Sequence, residues 1–66
     1  MKLQLNGKLQ EVPESESLLD LLGVLHLPAK TVLIERNGHP VPRTEFASTK
    51  ITEGDSVEIV QMVAGG

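Results

Sequence analysis

An α+β fold, a small mixed sheet curled over one main helix with a flexible C-terminal tail, is predicted by three features of this sequence. Asn-Gly dipeptides at Asn6-Gly7 and Asn37-Gly38 each follow a strand-like run, the strongest short signal for a tight β-hairpin. Leu18, Leu21, Leu22 and Leu25 recur at helical spacing and make one apolar stripe. Val57 to Met62 alternates as a strand and runs almost directly into Val63-Ala64-Gly65-Gly66. The 66 residues make one domain. A domain near that size buries only about 60% of the surface its unfolded chain exposes, which leaves no room for a deep active-site cleft. A carrier or binding module is favoured over an enzyme.

Taken in order, Leu3 and Leu5 alternate with Lys2 and Gln4, and Leu9 and Val12 suit the return strand, so residues 1–12 read as a hairpin. Pro13 to Glu16 break that pattern. Ser17, three residues before Asp20, resembles a capping box in which Asp replaces the usual Glu or Gln. Glu14, Glu16 and Asp20 place negative charge where the helix dipole favours it, and His26 sits at the end where a cation is favoured. Gly23 weakens the helix by about 1 kcal/mol relative to alanine, so the helix depends on packing against the sheet. Val32-Leu33-Ile34 is β-rich and leads to the second hairpin turn, with Val41 on the returning side. Pro40 and Pro42 cannot donate ladder hydrogen bonds, so that strand is expected to be short and at a sheet edge or partly irregular. Phe46 and Ala47 form a turn or brief helix returning to the core, and Glu53-Gly54-Asp55 turns into the last strand. A hairpin, one crossover helix, two short strands or a strand and an arm, and a C-terminal strand in this order fit the β-grasp arrangement of ubiquitin-like proteins. The expected division is a β-grasp domain over 1–62 and a flexible diglycine tail over 63–66.

Composition removes several classes of function. Six Lys and Arg against nine Asp and Glu give a net charge of −3, and Phe46 is the sole aromatic residue, which argues against nucleic acid as a partner. With no cysteine there is no disulfide, thiolate metal site or cysteine nucleophile, so any sulfur handled here must be acquired. His26 and His39 alone are a weak ligand set, and no metal or intrinsically bound cofactor is expected. No Gly-x-Ser-x-Gly elbow and no phosphate-binding loop occurs. No apolar run is long enough to cross a bilayer, and the expected setting is cytoplasmic, with no membrane partner.

The chemistry is expected at the tail. Two glycines in a row make a thin thread that enters a channel too narrow for other residues. A partner enzyme that holds the Gly66 carboxylate against the α-phosphate of ATP converts it into an acyl-adenylate, open to attack by sulfur or an amine. If Val57 and Ile59 face the helix, Val60 and Met62 face away from it, where apolar side chains gain nothing from folding alone and suit a docking patch. Phe46 is a candidate for that patch or for the edge of the core.

Across its whole length the chain resembles the ThiS family, the sulfur carriers of thiamine biosynthesis. The resemblance rests on Leu5-Asn6-Gly7, Ser17-Leu18-Leu19-Asp20-Leu21-Leu22, Glu35-Arg36-Asn37-Gly38 through Val41-Pro42-Arg43, Phe46-Ala47, Glu53-Gly54-Asp55 with Val57-Glu58-Ile59-Val60, and Gly65-Gly66. Phe46 stands where the family often has tryptophan, and Ala64 where it often has glycine. What the resemblance implies is a carrier, not an enzyme, monomeric when free. An E1-like adenylyltransferase uses Mg-ATP to adenylate Gly66, and sulfur from a cysteine desulfurase or other donor makes a Gly66 thiocarboxylate. Thiazole synthase then takes that sulfur into the thiazole ring. Gly65 and Ala64 would thread the partner's channel, and Val60, Met62 and Phe46 would dock. Two other readings share the diglycine: a molybdopterin-synthase small-subunit type of sulfur carrier, and a ubiquitin-like protein modifier.

Overall fold

The computed structural model describes residues 1–62. Its strands are β1 (Lys2–Leu5), β2 (Lys8–Glu11), β3 (Val32–Arg36), β4 (His39–Val41) and β5 (Ser56–Gln61), with one helix, α1 (Leu18–Val24), between the hairpins. They form one mixed sheet in the order β2-β1-β5-β3-β4. The central pair β1 and β5 is parallel, and the other neighbours are antiparallel. This is the ubiquitin-like β-grasp, and β4 is the short edge strand expected from its prolines.

Both hairpin turns follow from their dipeptides. Asn6 and Gly7 have φ of 50° and 83°, Asn37 and Gly38 51° and 84°, so all four take the left-handed conformation that a two-residue type I′ loop demands. The asparagines also do something the turn rule does not require. Asn6 accepts the Ile59 N–H on Oδ1 at 2.7 Å, and Asn37 accepts the Ser56 N–H at 2.9 Å. Each turn thereby grips β5 from one side, extending the ladders that β1 and β3 make with it.

The short helix is completed from outside. Ser17 caps it, its Oγ accepting the Asp20 N–H at 3.2 Å as the spacing predicts. The N–H groups of Leu18 and Leu19 donate to the carbonyls of Thr49 and Phe46, each at 3.0 Å, so the segment after β4 supplies the acceptors a first turn lacks. At the other end His26 and Leu27 donate back to Gly23 and Leu22 in a Schellman closure. His26 stands at the left-handed position with φ of 59°, where glycine is usual. The core lies between helix and sheet: Leu18, Leu21 and Leu22 from α1, Leu3 and Leu5 from β1, Val32 and Ile34 from β3, Val57 from β5, closed by Val12, Phe46 and Ile51.

Candidate functional site

The last strand decides where the chain stands at Met62. β5 is flanked by β1 and β3, and its register with β3 runs from Arg36↔Val57 to Val32↔Gln61. One further bond, from the Met62 N–H to the Thr31 carbonyl at 2.7 Å, holds the backbone through Met62. Thr31 ends a 3₁₀ turn (Ala29–Thr31) that Arg43 pins, donating Nε to the Ala29 carbonyl at 3.0 Å and Nη2 to the Lys30 carbonyl at 2.7 Å. Val63 to Gly66 follow at once. The expectations for Gly66, Gly65 and Ala64, and the tail division at 63–66, lie outside the described residues.

Strand alternation sorts the side chains of β5 onto two surfaces. Val57 is fully buried and Ile59 packs against the core, while Glu58, Val60 and Met62 face outward. Val60 is 58% exposed and Met62 43% exposed, so both are available to a partner. Leu33, directly opposite Val60 across the β3–β5 pair and 55% exposed, extends the same apolar surface. The sequence reading did not single out Leu33. Its signal is the triplet Val32-Leu33-Ile34: if both flanking residues face the core, alternation sends the middle one out.

Phe46 requires a correction. It is 2% exposed, follows the 3₁₀ turn Arg43–Glu45, and belongs to the buried cluster, so it is not part of a docking surface. A seven-residue helix covers only part of a five-stranded sheet, and a large ring is needed to close the remaining side. Its position in the sequence, on a loop outside any periodic run, carries no information about which way the ring turns.

An acidic residue organises the turn before β5. Asp55 is 7% exposed and accepts three hydrogen bonds: from Arg36 Nε at 2.9 Å, Asn37 Nδ2 at 3.1 Å and the Thr52 N–H at 2.8 Å. Burial pushes its carboxyl up, but the bonds from Thr52, Asn37 and Arg36, with the charge of Arg36, outweigh it and hold the pKa below the ordinary value. All three bonds join Asp55 to groups of the fold itself. The group fastens the Asn37 turn to the start of β5.

Among the described residues an open groove of about 620 Å³ lies between the first hairpin and the end of α1, lined by Leu5, Asn6, Lys8, Leu25, Leu27 and Ile59, with Gln10 and Gln61. It contains no carboxylate, imidazole or hydroxyl to move a proton or attack a substrate. Among the described residues no group of three His, Cys, Asp or Glu is placed to hold a metal ion, and no helix is long and apolar enough to cross a membrane. What the fold offers is an apolar surface that runs up to Met62, the residue before Val63-Ala64-Gly65-Gly66.

Comparison with known proteins bears on that arrangement. A crystal structure of a thiamine biosynthesis protein, ThiS, from Geobacter metallireducens superposes with a TM-score of 0.83 at 35% identity, over 100% of both chains. The sulfur carrier protein ThiS of Bacillus subtilis is 34% identical over 65 residues, covering 97% of this chain and 98% of that one. A thiazole synthase of Paramagnetospirillum magneticum is 36% identical over 66 residues, and there the whole of this chain spans only 20% of the longer protein. The family model for ThiS matches residues 3–66, so the likeness covers the sheet, the helix and the closing glycines alike. The chain belongs to the ThiS family.

Proposed function

We infer that this chain is a sulfur carrier of thiamine biosynthesis, with the Gly66 carboxylate as its reactive group. The observation that carries the reading is the family match from residue 3 through Gly66, on a body whose outward apolar residues lie next to the root of that segment. In the proposed cycle a carboxylate oxygen of Gly66 attacks the α-phosphorus of Mg-ATP on an E1-like adenylyltransferase, and pyrophosphate leaves. A persulfide supplied by a cysteine desulfurase or another donor then attacks the acyl carbon with its outer sulfur and expels AMP, leaving an acyl disulfide. A thiol of the partner enzymes attacks the donor's inner sulfur, forms a disulfide with it and releases the thiocarboxylate, so free sulfide need not diffuse. ATP belongs to the partner, and the carrier contributes no acid, base or cofactor.

Thiazole synthase is the proposed acceptor. The Paramagnetospirillum relative supports this, since a chain with that name contains a segment like the whole of this one. A cytoplasmic setting accords with partners that use ATP and persulfide chemistry. The names of the relatives favour this reading over the molybdopterin-type carrier and the protein modifier.

Val60 and Met62 are assigned to docking, and Gly65 and Ala64 to the passage into the partner's site. Adding one residue after Gly66 should abolish ATP–pyrophosphate exchange by the adenylating partner while leaving the unfolding transition unchanged. Undiminished exchange by the extended chain would contradict the assignment. Intact mass of the chain purified from its own cells should show a species in which one oxygen is replaced by sulfur.

A further inference from the structure

The outward face of the β3–β5 pair carries two features that folding alone does not favour. Leu33 and Val60 stand opposite each other and expose more than half their surface. Two positions along the same face, Glu35 stands directly opposite Glu58, both exposed. Like charges in directly paired positions destabilise a sheet, because their Cβ atoms are only about 5 Å apart.

No cation of the sheet relieves this pair. On the β4 side the residue in register with Glu35 is Pro40, and on the β1 side the next position after Leu5↔Val57 places Asn6 beside Glu58. Arg36 pairs with Val57, whose side chain is buried, so it belongs to the opposite face, and there it is bonded to Asp55. Among the described residues neither Glu35 nor Glu58 takes part in a salt bridge.

We propose that Leu33, Val60, Glu35 and Glu58 form one docking surface for a partner protein that presents an apolar centre flanked by an arginine, whose guanidinium is received between the two carboxylates. The fork of an arginine donates to two acceptors at once, which suits paired carboxylates better than the point charge of a lysine. The adjacent apolar pair points to a protein surface instead of a bare ion. A second copy of the chain is a poor occupant, since the same face would bring carboxylates without a cation. The surface also continues past β5 to Met62, so a partner seated here lies beside the residue that precedes Val63 in the chain. The carboxylates thus fix the direction in which the carrier is held, while the leucine and valine supply contact area.

This inference rests on the reading of the tail as the substrate of an adenylating partner, and the test separates the two. ATP–pyrophosphate exchange is measured with the intact carrier, the double variant Glu35→Gln/Glu58→Gln and Glu16→Gln, an exposed acidic residue at the other side of the molecule. The double variant should raise the KM for the carrier about tenfold, change kcat little, and flatten the rise of KM with salt. Glu16→Gln should match the unaltered carrier. In thermal unfolding the isolated double variant should be as stable as the unaltered protein or more so, because a repulsion has been removed. Unchanged KM and salt dependence in the double variant overturn the docking surface and leave the tail chemistry standing. A lower unfolding temperature shows that the carboxylates serve the monomer and also overturns it. An unaltered carrier that supports no exchange overturns the tail reading, and the docking surface with it.

Discussion

The two faces of β5 obey different demands. On the inner face Val57 is completely buried and Ile59 packs against the core, so each side chain there is explained by burial. On the outer face Val60 and Met62 remain exposed and Glu58 stands opposite another glutamate, so burial explains none of them. A strand of six residues therefore holds the fold with one set of side chains and leaves the other set exposed. Separation of the two tasks is possible because alternation makes the faces nearly independent: a change on one side leaves the packing on the other intact. For a carrier this is useful, since recognition can change without loss of the rigid body.

The comparison can be broken hardest from the core side. Phe46→Ala should cost about 3–5 kcal/mol, which is most of the stability a domain this small can have, and should leave a largely unfolded chain by circular dichroism. A cooperative transition of near-native midpoint would show that the ring is not part of the core.

A smaller effect is expected at Asp55, which secures the start of the same strand. Asp55→Asn should cost about 2 kcal/mol near neutral pH by weakening the charge-assisted bonds to Arg36 and Thr52. The sign of its pH dependence follows from the lowered pKa. The stabilisation is fully present above the ordinary carboxyl value of 3.8 and is lost as pH falls through the lower value of the folded state. Urea midpoints of the native and Asp55→Asn proteins should therefore differ at neutral pH and converge in acid. A gap that persists at all pH values would show that shape, and not charge, is what the substitution disturbs.

The smallest effect on stability is expected outside. Val60→Thr preserves the branched shape and should shift stability by no more than about 0.5 kcal/mol, while weakening use of the carrier by its adenylating partner. If the substitution destabilises the fold as much as a core change, the independence of the two faces fails. If it leaves both fold and partner use untouched, the exposed valine belongs to neither task.

Much of this architecture was legible because its signals are local. Asn-Gly demands two consecutive positive φ angles, Ser17 offers an oxygen to the helix start, and Pro40 and Pro42 exclude β4 from a central place. Val60 and Met62 could be placed outside by counting from Val57, since the period of a strand is two. Leu33 could have been placed by the same counting. Asp55 illustrates the opposite case: it reads as an ordinary turn residue, yet it binds Arg36 and Asn37 from a strand and turn about nineteen positions earlier. Asn6 and Asn37 likewise announce their turns but not their grip on β5.

By itself the sequence determined the order of the elements, the place of both hairpin turns, a short β4 kept from the centre of the sheet and the closing diglycine, because each depends on backbone preferences within a few residues. Only the tertiary structure decided that Phe46 belongs inside, that Asp55 ties two distant segments together, and that Leu33 meets Val60 while Glu35 meets Glu58. Those facts depend on register between strands and on which gaps the helix leaves open. Such long-range geometry is set by packing the whole chain at once, and no short stretch of residues encodes it.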